Sequence, residues 1–180
     1  MRLTVITAAL LLTATTALGA DLAPDWRLAS GDGGSVRLSQ EVEKQPVILF
    51  FWATWCPYCK ALMPHLQSIR LEFGDSVKIL AVNIRDKNDP VAFIEKAGYD
   101  FTVLPHGDEV AELYEIYGTP GVIVIDGEQR AQFDLRLLPQ FSIPSNGKKL
   151  SNSKKAAYLA PYWAAEIRKS IDAVLAETEQ

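Results

Sequence analysis

The chain contains 180 residues, of which 48% are hydrophobic and 22% are charged, and its formal net charge is −4. This length and composition suffice to bury one core, so we expect a single globular domain. No window is dense in Lys or Arg with interleaved aromatic residues, which argues against nucleic acid as a partner.

The first twenty residues, MRLTVITAALLLTATTALGA, have the pattern of a secretory signal peptide. One cation, Arg2, precedes an uncharged apolar stretch at 3–12, and small residues follow it. Cleavage after Gly19 leaves small residues at the positions that a signal peptidase reads. We therefore expect a signal peptide at 1–19, with 1–20 as the alternative boundary.

An uncleaved membrane anchor is the other interpretation of this segment. Residues 3–20 carry no charge, and a spanning helix needs about 20 apolar residues. Five Thr residues and a short Leu-rich centre favour cleavage. We therefore expect the mature domain, 20–180, to be soluble and exported, as in the periplasm.

Before the first long apolar run, two short segments predict an N-terminal hairpin. They are 26–28 and 35–38, and they flank the turn-rich sequence SGDGG at 30–34. The run VILFFW at 47–52 is continuous, which is typical of a strand buried on both faces.

The next segment predicts a helix that begins at Cys56. Apolar residues recur at helical spacing, and Gly74 ends the pattern; they are Leu62, Leu66, Ile69 and Phe73. A helix N-terminus presents unsatisfied N–H groups and the positive end of the helix dipole, which favour a thiolate. We therefore assign Cys56 as the nucleophile. Cys59, one turn later and more deeply placed, is assigned as the resolving thiol.

Cys56 and Cys59 are the only cysteines in the chain. A bridge between residues this close closes no long loop and stabilises a fold little, which indicates a reactive pair rather than a structural one. A structural zinc site needs four ligands, and His65 and His106 lie far apart in sequence. We expect neither a metal nor another cofactor.

Beyond the cysteine helix, predicted strands and helices alternate. We expect strands at 77–83, 101–104 and 121–128, the last with a hairpin partner at 130–135, and helices that end at Gly98 and Gly118. This alternation implies a parallel sheet, and the hairpin makes the sheet mixed at one end. The predicted fold class is α/β, with a central mixed sheet flanked by helices.

The segment 139–155, PQFSIPSNGKKLSNSKK, is rich in Ser, Asn, Lys and Pro. We expect an exposed loop, which either docks a partner or, as its composition favours, is simply solvated. Helical spacing resumes at Trp163, Ile167 and Ile171, and a C-terminal helix is predicted to begin at Pro161.

The segment FFWATWCPYCKALMP at 50–64 resembles the active-site segment of the thioredoxin superfamily, in particular its exported TlpA/ResA/CcmG branch of thiol–disulfide oxidoreductases. The likeness extends over 26–136, and 89–117 is similar to the strand-helix insertion of that branch. The resemblance implies a thioredoxin fold, a redox-active Cys56–Cys59 disulfide, and exchange of disulfides with client proteins.

Thr119 and Pro120 resemble the cis-proline turn of the same family. The resemblance implies a cis bond beside the cysteine pair and a backbone at Thr119 that pairs with an extended client segment. The other expected neighbours of the cysteines are Trp55, Pro57, Tyr58 and Lys60. Lys60 adds positive charge, although a solvated side chain is the simpler interpretation.

Two positions depart from the family pattern. Thioredoxins commonly have a buried Asp where this chain has Phe50, and ResA-like members have a Glu where this chain has Leu62. Neither of these proton acceptors for Cys59 is therefore present. The sequence singles out no replacement among its acidic residues, Asp86 included.

Two classes of function follow. The first is an exported enzyme that exchanges disulfides with clients. A reductase supplied by a membrane thiol electron-transfer partner is favoured, and a disulfide oxidant or isomerase is the alternative. The second class is a non-catalytic binding module on the same fold. The two closely spaced thiols favour the enzyme, since a binding module needs neither of them.

Overall fold

The computed structural model describes residues 22–140, 142–145, 147 and 149–178, and the predicted signal peptide lies outside them. The elements in chain order are β1 (Arg27–Ala29), β2 (Ser35–Arg37), α1 (Leu38–Val42), β3 (Val47–Trp52), α2 (Pro57–Phe73), β4 (Lys78–Asn83), α3 (Pro90–Ala97), β5 (Thr102–Leu104), α4 (Asp108–Leu113), β6 (Gly121–Ile125), β7 (Ala131–Asp134) and α5 (Asn152–Thr178). Among the residues that the structure describes, no helix combines the length and apolar content needed to cross a bilayer.

β3 is the centre of a five-stranded mixed sheet with the strand order β5-β4-β3-β6-β7. β3, β4 and β5 run parallel, whereas β6 is antiparallel to both β3 and β7. The parallel pairs need crossover connections that contain helices, and the β6–β7 pair needs only a short turn. β1 and β2 form a separate antiparallel hairpin. The predicted α/β class, mixed sheet and N-terminal hairpin are confirmed.

β3 is buried on both faces because its side chains alternate between two apolar clusters. One set packs with α2 and α5 and consists of Ile48, Phe50 and Trp52. The other set packs with α1 and α4 and consists of Val47, Leu49 and Phe51. All six side chains are fully buried, which agrees with the continuous apolar run in the sequence. The strand that leads into the cysteines is therefore held from both sides.

The C-terminal helix begins earlier than predicted, at Asn152 rather than at Pro161. Ala156 and Ala160 are buried in its early turns. Together with Ala164 they form a stripe of small residues on the helix that packs against α2. The polar residues at 152–155 conceal this stripe in the sequence. The predicted loop therefore ends before α5 rather than at residue 155.

The helix predicted to end at Gly118 is also shorter, because α4 ends at Leu113. Tyr117, which the helical pattern included, is 73% exposed. Glu115 has a positive φ of 54°, which is incompatible with continued right-handed helix. The segment between α4 and β6 is therefore a loop.

Candidate active site

Cys56 lies at the N-terminus of α2, four residues after the last residue of β3. Its backbone is extended, with φ −79° and ψ 113°, so it is the N-cap, and Pro57 occupies the first helical position. Proline suits that position because its missing N–H would have no partner there. The sulfur of Cys56 accepts a hydrogen bond from the backbone N–H of Cys59 at 3.1 Å. The helix end thus directs an N–H group at this sulfur.

The two cysteines form a disulfide, with their Cα atoms 5.3 Å apart. Both side chains are almost completely buried, with Cys56 1% and Cys59 0% exposed. Exposure in this oxidised form therefore does not separate the nucleophile from the resolving thiol. That assignment continues to depend on the position of Cys56 at the helix N-terminus, and it stays a prediction.

The interior around Cys59 is apolar. Phe50 and Leu62 are fully buried in the same cluster as the two cysteines. The buried carboxylates among the described residues are Glu41 and Asp126. Glu41 pairs with lysines, and Asp126 accepts hydrogen bonds from the β6–β7 turn. Both buried carboxylates are thus engaged with partners other than Cys59.

A hydrogen-bond network around Asp86, which we call the Asp86 clamp, holds the loop before Cys56. Its members are Thr54, Asn83, Asp86 and Asn88. The Asp86 carboxylate accepts hydrogen bonds from the backbone N–H and the hydroxyl of Thr54, the latter at 2.9 Å. It also accepts from the Asn83 amide at 3.2 Å and from the Asn88 backbone at 3.1 Å. The Asn88 amide donates to the Thr54 hydroxyl at 2.7 Å, which closes the network.

The same hydrogen bonds fix the charge of Asp86. Burial opposes ionisation, but the bonds donated by Thr54, Asn88 and Asn83 outweigh it and lower the pKa of Asp86 to about 2. Asp86 is therefore a carboxylate near neutral pH, and it is the acceptor in each bond that it makes within the clamp. A carboxylate with so low a pKa is a weak base, so Asp86 is poorly suited to accept the proton of Cys59.

A second set of contacts joins the cysteine loop to the segment before Pro120. Trp55 is 56% exposed, and its indole N–H donates to the backbone carbonyl of Arg85 at 2.9 Å. The Arg85 guanidinium donates to the carbonyls of Ile116, at 3.0 Å, and Tyr117. Arg85 therefore connects both loops that border the cysteine pair.

Thr119 and Pro120 lie at the same edge of the sheet as the cysteines. Their peptide bond is cis, as expected. Gly121 pairs with Phe51, so the residue before it reaches the end of β3 from which the cysteine loop departs. A Cβ atom on Gly121 would lie 3.0 Å from Ile116 and 3.3 Å from Phe51. The absence of a side chain thus permits this close approach.

Two side chains of the Cys-Pro-Tyr-Cys-Lys segment contact neighbouring helices. The rings of Tyr58 and Trp163, on α5, have centroids 6.2 Å apart. The Lys60 ammonium lies 5.7 Å from the ring centroid of Phe93, on α3, within the range of a cation–π contact. The expected neighbours of the cysteines therefore gather around the start of α2.

Sequence reasoning missed the functional contacts made by Asp86 and Trp163. Asp86 follows β4, whose carboxyl end lies beside that of β3, and polar residues at such ends commonly meet. That rule was a usable signal for Asp86. Trp163 looked only like a core position, and nothing local indicates its contact with Tyr58. In the described part of the chain, no group of three or more His, Cys, Asp or Glu residues could hold a metal ion.

The sequence of this chain matches a known protein family. The model of the AhpC/TSA family matches residues 20–133. A thiol-disulfide oxidoreductase ResA from Oceanobacillus iheyensis is 40% identical over 110 residues, which cover 56% of this chain and 55% of that protein. The chain thus spans about half the length of this relative.

Solved structures share the fold. The thioredoxin domain of a thiol-disulfide oxidoreductase from Bacteroides vulgatus is 24% identical and superimposes with a TM-score of 0.58, covering 64% of this chain and 86% of that one. An uncharacterized conserved protein from Geobacillus kaustophilus, also 24% identical, gives a TM-score of 0.68, with 88% of this chain and 82% of that chain covered. The predicted thioredoxin fold is therefore confirmed.

Proposed function

The chain belongs to the AhpC/TSA family, and from this premise we propose that it is a thiol–disulfide oxidoreductase that exchanges disulfides with client proteins through Cys56 and Cys59. The observation that carries the proposal is the disulfide itself, formed between two neighbouring cysteines at the N-terminus of α2. A structural bridge of this kind would close only a short loop and stabilise the fold little. A redox-active disulfide, in contrast, requires both cysteines, because it is repeatedly reduced and formed again.

The proposed reaction begins with attack by the Cys56 thiolate on one sulfur of a client disulfide. The client bond breaks, a mixed disulfide forms, and the second client sulfur leaves as a thiolate that takes a proton from solvent. The Cys59 thiol then loses its proton to solvent, and the resulting thiolate attacks the sulfur of Cys56. This step forms the Cys56–Cys59 disulfide and releases the first client sulfur as a thiolate. Two electrons have passed from the enzyme to the client.

The protein contributes position and charge stabilisation to these steps. The Cys59 N–H that donates to the Cys56 sulfur, together with the positive end of the α2 dipole, favours the thiolate and opposes its protonation. The Asp86 clamp fixes the loop that carries the nucleophile. In this proposal the backbone at Thr119 pairs with the extended client segment.

The reductive direction needs a source of electrons. The oxidised pair returns to two thiols only by exchange with an external dithiol, which itself becomes a disulfide. We assign this role to a membrane-bound thiol electron-transfer partner. The signal-peptide pattern of 1–19 supports work outside the cytoplasm, in the periplasm, where such a partner is needed because the cytoplasmic thiol reductants are absent.

A redox equilibrium tests the proposal and its direction. Protein lacking residues 1–19 is incubated with defined mixtures of reduced and oxidised glutathione, and the fraction of Cys56–Cys59 disulfide is read by mass after alkylation. A potential near that of thioredoxin, about −270 mV, supports a reductase, whereas one near about −120 mV reverses the direction to an oxidant. Cys59→Ser is the matched control, since it cannot form the internal bridge. A pair that never exchanges with glutathione would leave only the binding-module alternative.

A further inference from the structure

An apolar pocket of about 310 Å³ opens beside Pro120. Its walls include Pro120, Leu135, Leu138, Ile143, Leu159 and Trp163. The segment that the sequence presented as a solvated loop thus supplies one wall through Ile143, and α5 supplies another through Leu159 and Trp163. This volume is at the small end of ligand sites, which span about 300–1,000 Å³, and it suits a side chain better than a cofactor.

Two of the residues that line the pocket connect it with the cysteine site. Pro120 belongs to its lining and lies at the end of β3 that leads into the cysteine loop. Trp163 lines the pocket and contacts the ring of Tyr58, which stands between the two cysteines in sequence. A client segment bonded to Cys56 and lying along Thr119 and Pro120 therefore passes the mouth of this pocket.

Among the described residues, the one charged side chain that lines the pocket is already paired. Arg136 lines it, but its guanidinium already donates two 3.0 Å bonds to the Asp134 carboxylate and one of 2.9 Å to the carbonyl of Glu115. The other polar side chain among the described lining residues is the amide of Gln140. A charged client side chain would lose its hydration in the pocket without gaining an ion-pair partner, which costs free energy. An apolar side chain has no such desolvation cost. The chemistry of the lining therefore selects an aliphatic or aromatic occupant.

We propose that this pocket binds one aliphatic or aromatic side chain of the client, within a few residues of the client cysteine that Cys56 attacks. The inference rests on the proposed function and adds a specificity to it. Apart from Pro120, every residue that lines the pocket follows residue 133, the last residue that the family model matches. The preference for clients thus belongs to the C-terminal region, which lies beyond the residues that the family model matches.

Chromogenic peptides test the proposal. Each peptide carries one cysteine linked by a disulfide to 5-thio-2-nitrobenzoate, and the peptides differ only by Leu, Phe, Ser or Asp at one position from two residues before to two residues after the cysteine. Rates of thionitrobenzoate release are measured with reduced protein under single-turnover conditions. We expect Leu or Phe at one position to react about 10- to 100-fold faster than Ser or Asp there, as apolar pockets discriminate by about 10- to 200-fold.

Two variants locate the preference. Leu159→Glu places a charge on the α5 wall, and Ile143→Glu places one on the loop wall, where helix stability is not involved. Both should reduce the Leu-to-Ser rate ratio to less than about threefold, because an acidic wall no longer rewards an apolar occupant. Leu71→Glu is the matched control at a leucine on α2 that is 73% exposed and absent from the pocket, and its ratio should equal that of the parent.

The outcomes separate the inference from the function on which it rests. Equal rates for all peptides, or an unchanged ratio in both pocket variants, would overturn the inference while the exchange itself remained. A parent protein whose reduced cysteines react neither with the peptides nor with 5,5′-dithiobis(2-nitrobenzoate) would overturn the proposed function together with the inference.

Discussion

The two flanks of the cysteine loop differ in polarity. On the β4 side, the Asp86 clamp is polar, and Thr54 and Asn83 are buried with their hydrogen bonds made. On the β6 side, the pocket beside Pro120 is apolar and holds space for a further group. Hydrogen bonds fix direction, whereas apolar surface accepts a range of shapes. The first flank is therefore suited to hold the nucleophile and the second to receive a variable partner.

The largest effect is expected from replacing Cys56, which lies between the two flanks. Cys56→Ser should abolish client exchange, by more than about 1,000-fold, because the remaining thiol, Cys59, lies inside α2 rather than at its N-terminus and is assigned only the resolving step. Cys59→Ser should instead accumulate the mixed disulfide, since the resolving thiol is needed only to release the client. A non-reducing gel with a disulfide-bonded client distinguishes the two. Equal trapping by both variants would contradict the assigned roles.

Asp86→Ala should break the polar flank. It leaves the buried N–H of Thr54 without its acceptor and the Asn83 amide with only the carbonyl of Trp52, so we expect a loss of about 2–3 kcal/mol in the free energy of unfolding. Exchange should slow on the order of tenfold, because a displaced nucleophile reacts more slowly. Urea unfolding and single-turnover rates measure the two effects.

Asp89→Ala is the matched control for this change. Asp89 caps α3 by accepting bonds from the N–H groups of Val91 and Ala92, and losing such a cap costs about 1 kcal/mol. Its exchange rate should stay at the parental value. If both Asp variants slowed exchange equally, general destabilisation would explain the result and the clamp would have no special role.

The low pKa of Asp86 gives the polar flank a pH dependence. Because the pKa falls from 3.8 to about 2 on folding, the stabilisation is fully present above pH 3.8 and is lost as the pH falls through about 2. We expect this loss to be on the order of 1–2 kcal/mol and to be absent in Asp86→Asn. Urea unfolding at pH 7, 4 and 2.5 compares the two proteins. Parallel pH profiles would show that another group is responsible.

The smallest expected effect concerns Lys60. Its ammonium lies over the ring of Phe93, and an exposed cation–π contact contributes about 0.5–1 kcal/mol. Lys60→Ala should therefore lower the free energy of unfolding by less than about 1 kcal/mol, while Lys60→Arg should retain most of it. A rate of exchange reduced more than about threefold in Lys60→Ala alone would point instead to a direct role for its charge.

The hydrophobic pattern of the sequence predicted the elements whose own residues carry a clear burial signal. The run at 47–52 and the spacing of Leu62, Leu66 and Ile69 carry their own burial signal, so β3, α2 and the place of Cys56 followed from the sequence. The start of α5 did not, because residues 152–155 are polar on a helix whose buried side uses small alanines. Alanine contributes little to a hydrophobic pattern.

The remaining part of the site depends on contacts between distant residues. Thr54 and Asp86 are 32 residues apart, and Tyr58 and Trp163 are far more distant in sequence. These pairs meet because the sheet places β4 and β6 on either side of β3 and because α5 returns across α2. A single sequence does not specify such returns, so both flanks became visible only in the folded chain.

The position of β3 also determines which parts of the domain can open locally and which open only on global unfolding. The strand has a partner along its whole length on the β4 side and along most of it on the β6 side, and both its faces are covered. Its amide hydrogens are therefore released to solvent only when the whole domain opens, whereas the two-stranded β1–β2 hairpin can open by itself. In the proposed reaction, the cysteine disulfide forms and breaks beside the end of this strand, so we expect the chemistry to leave the strand itself undisturbed.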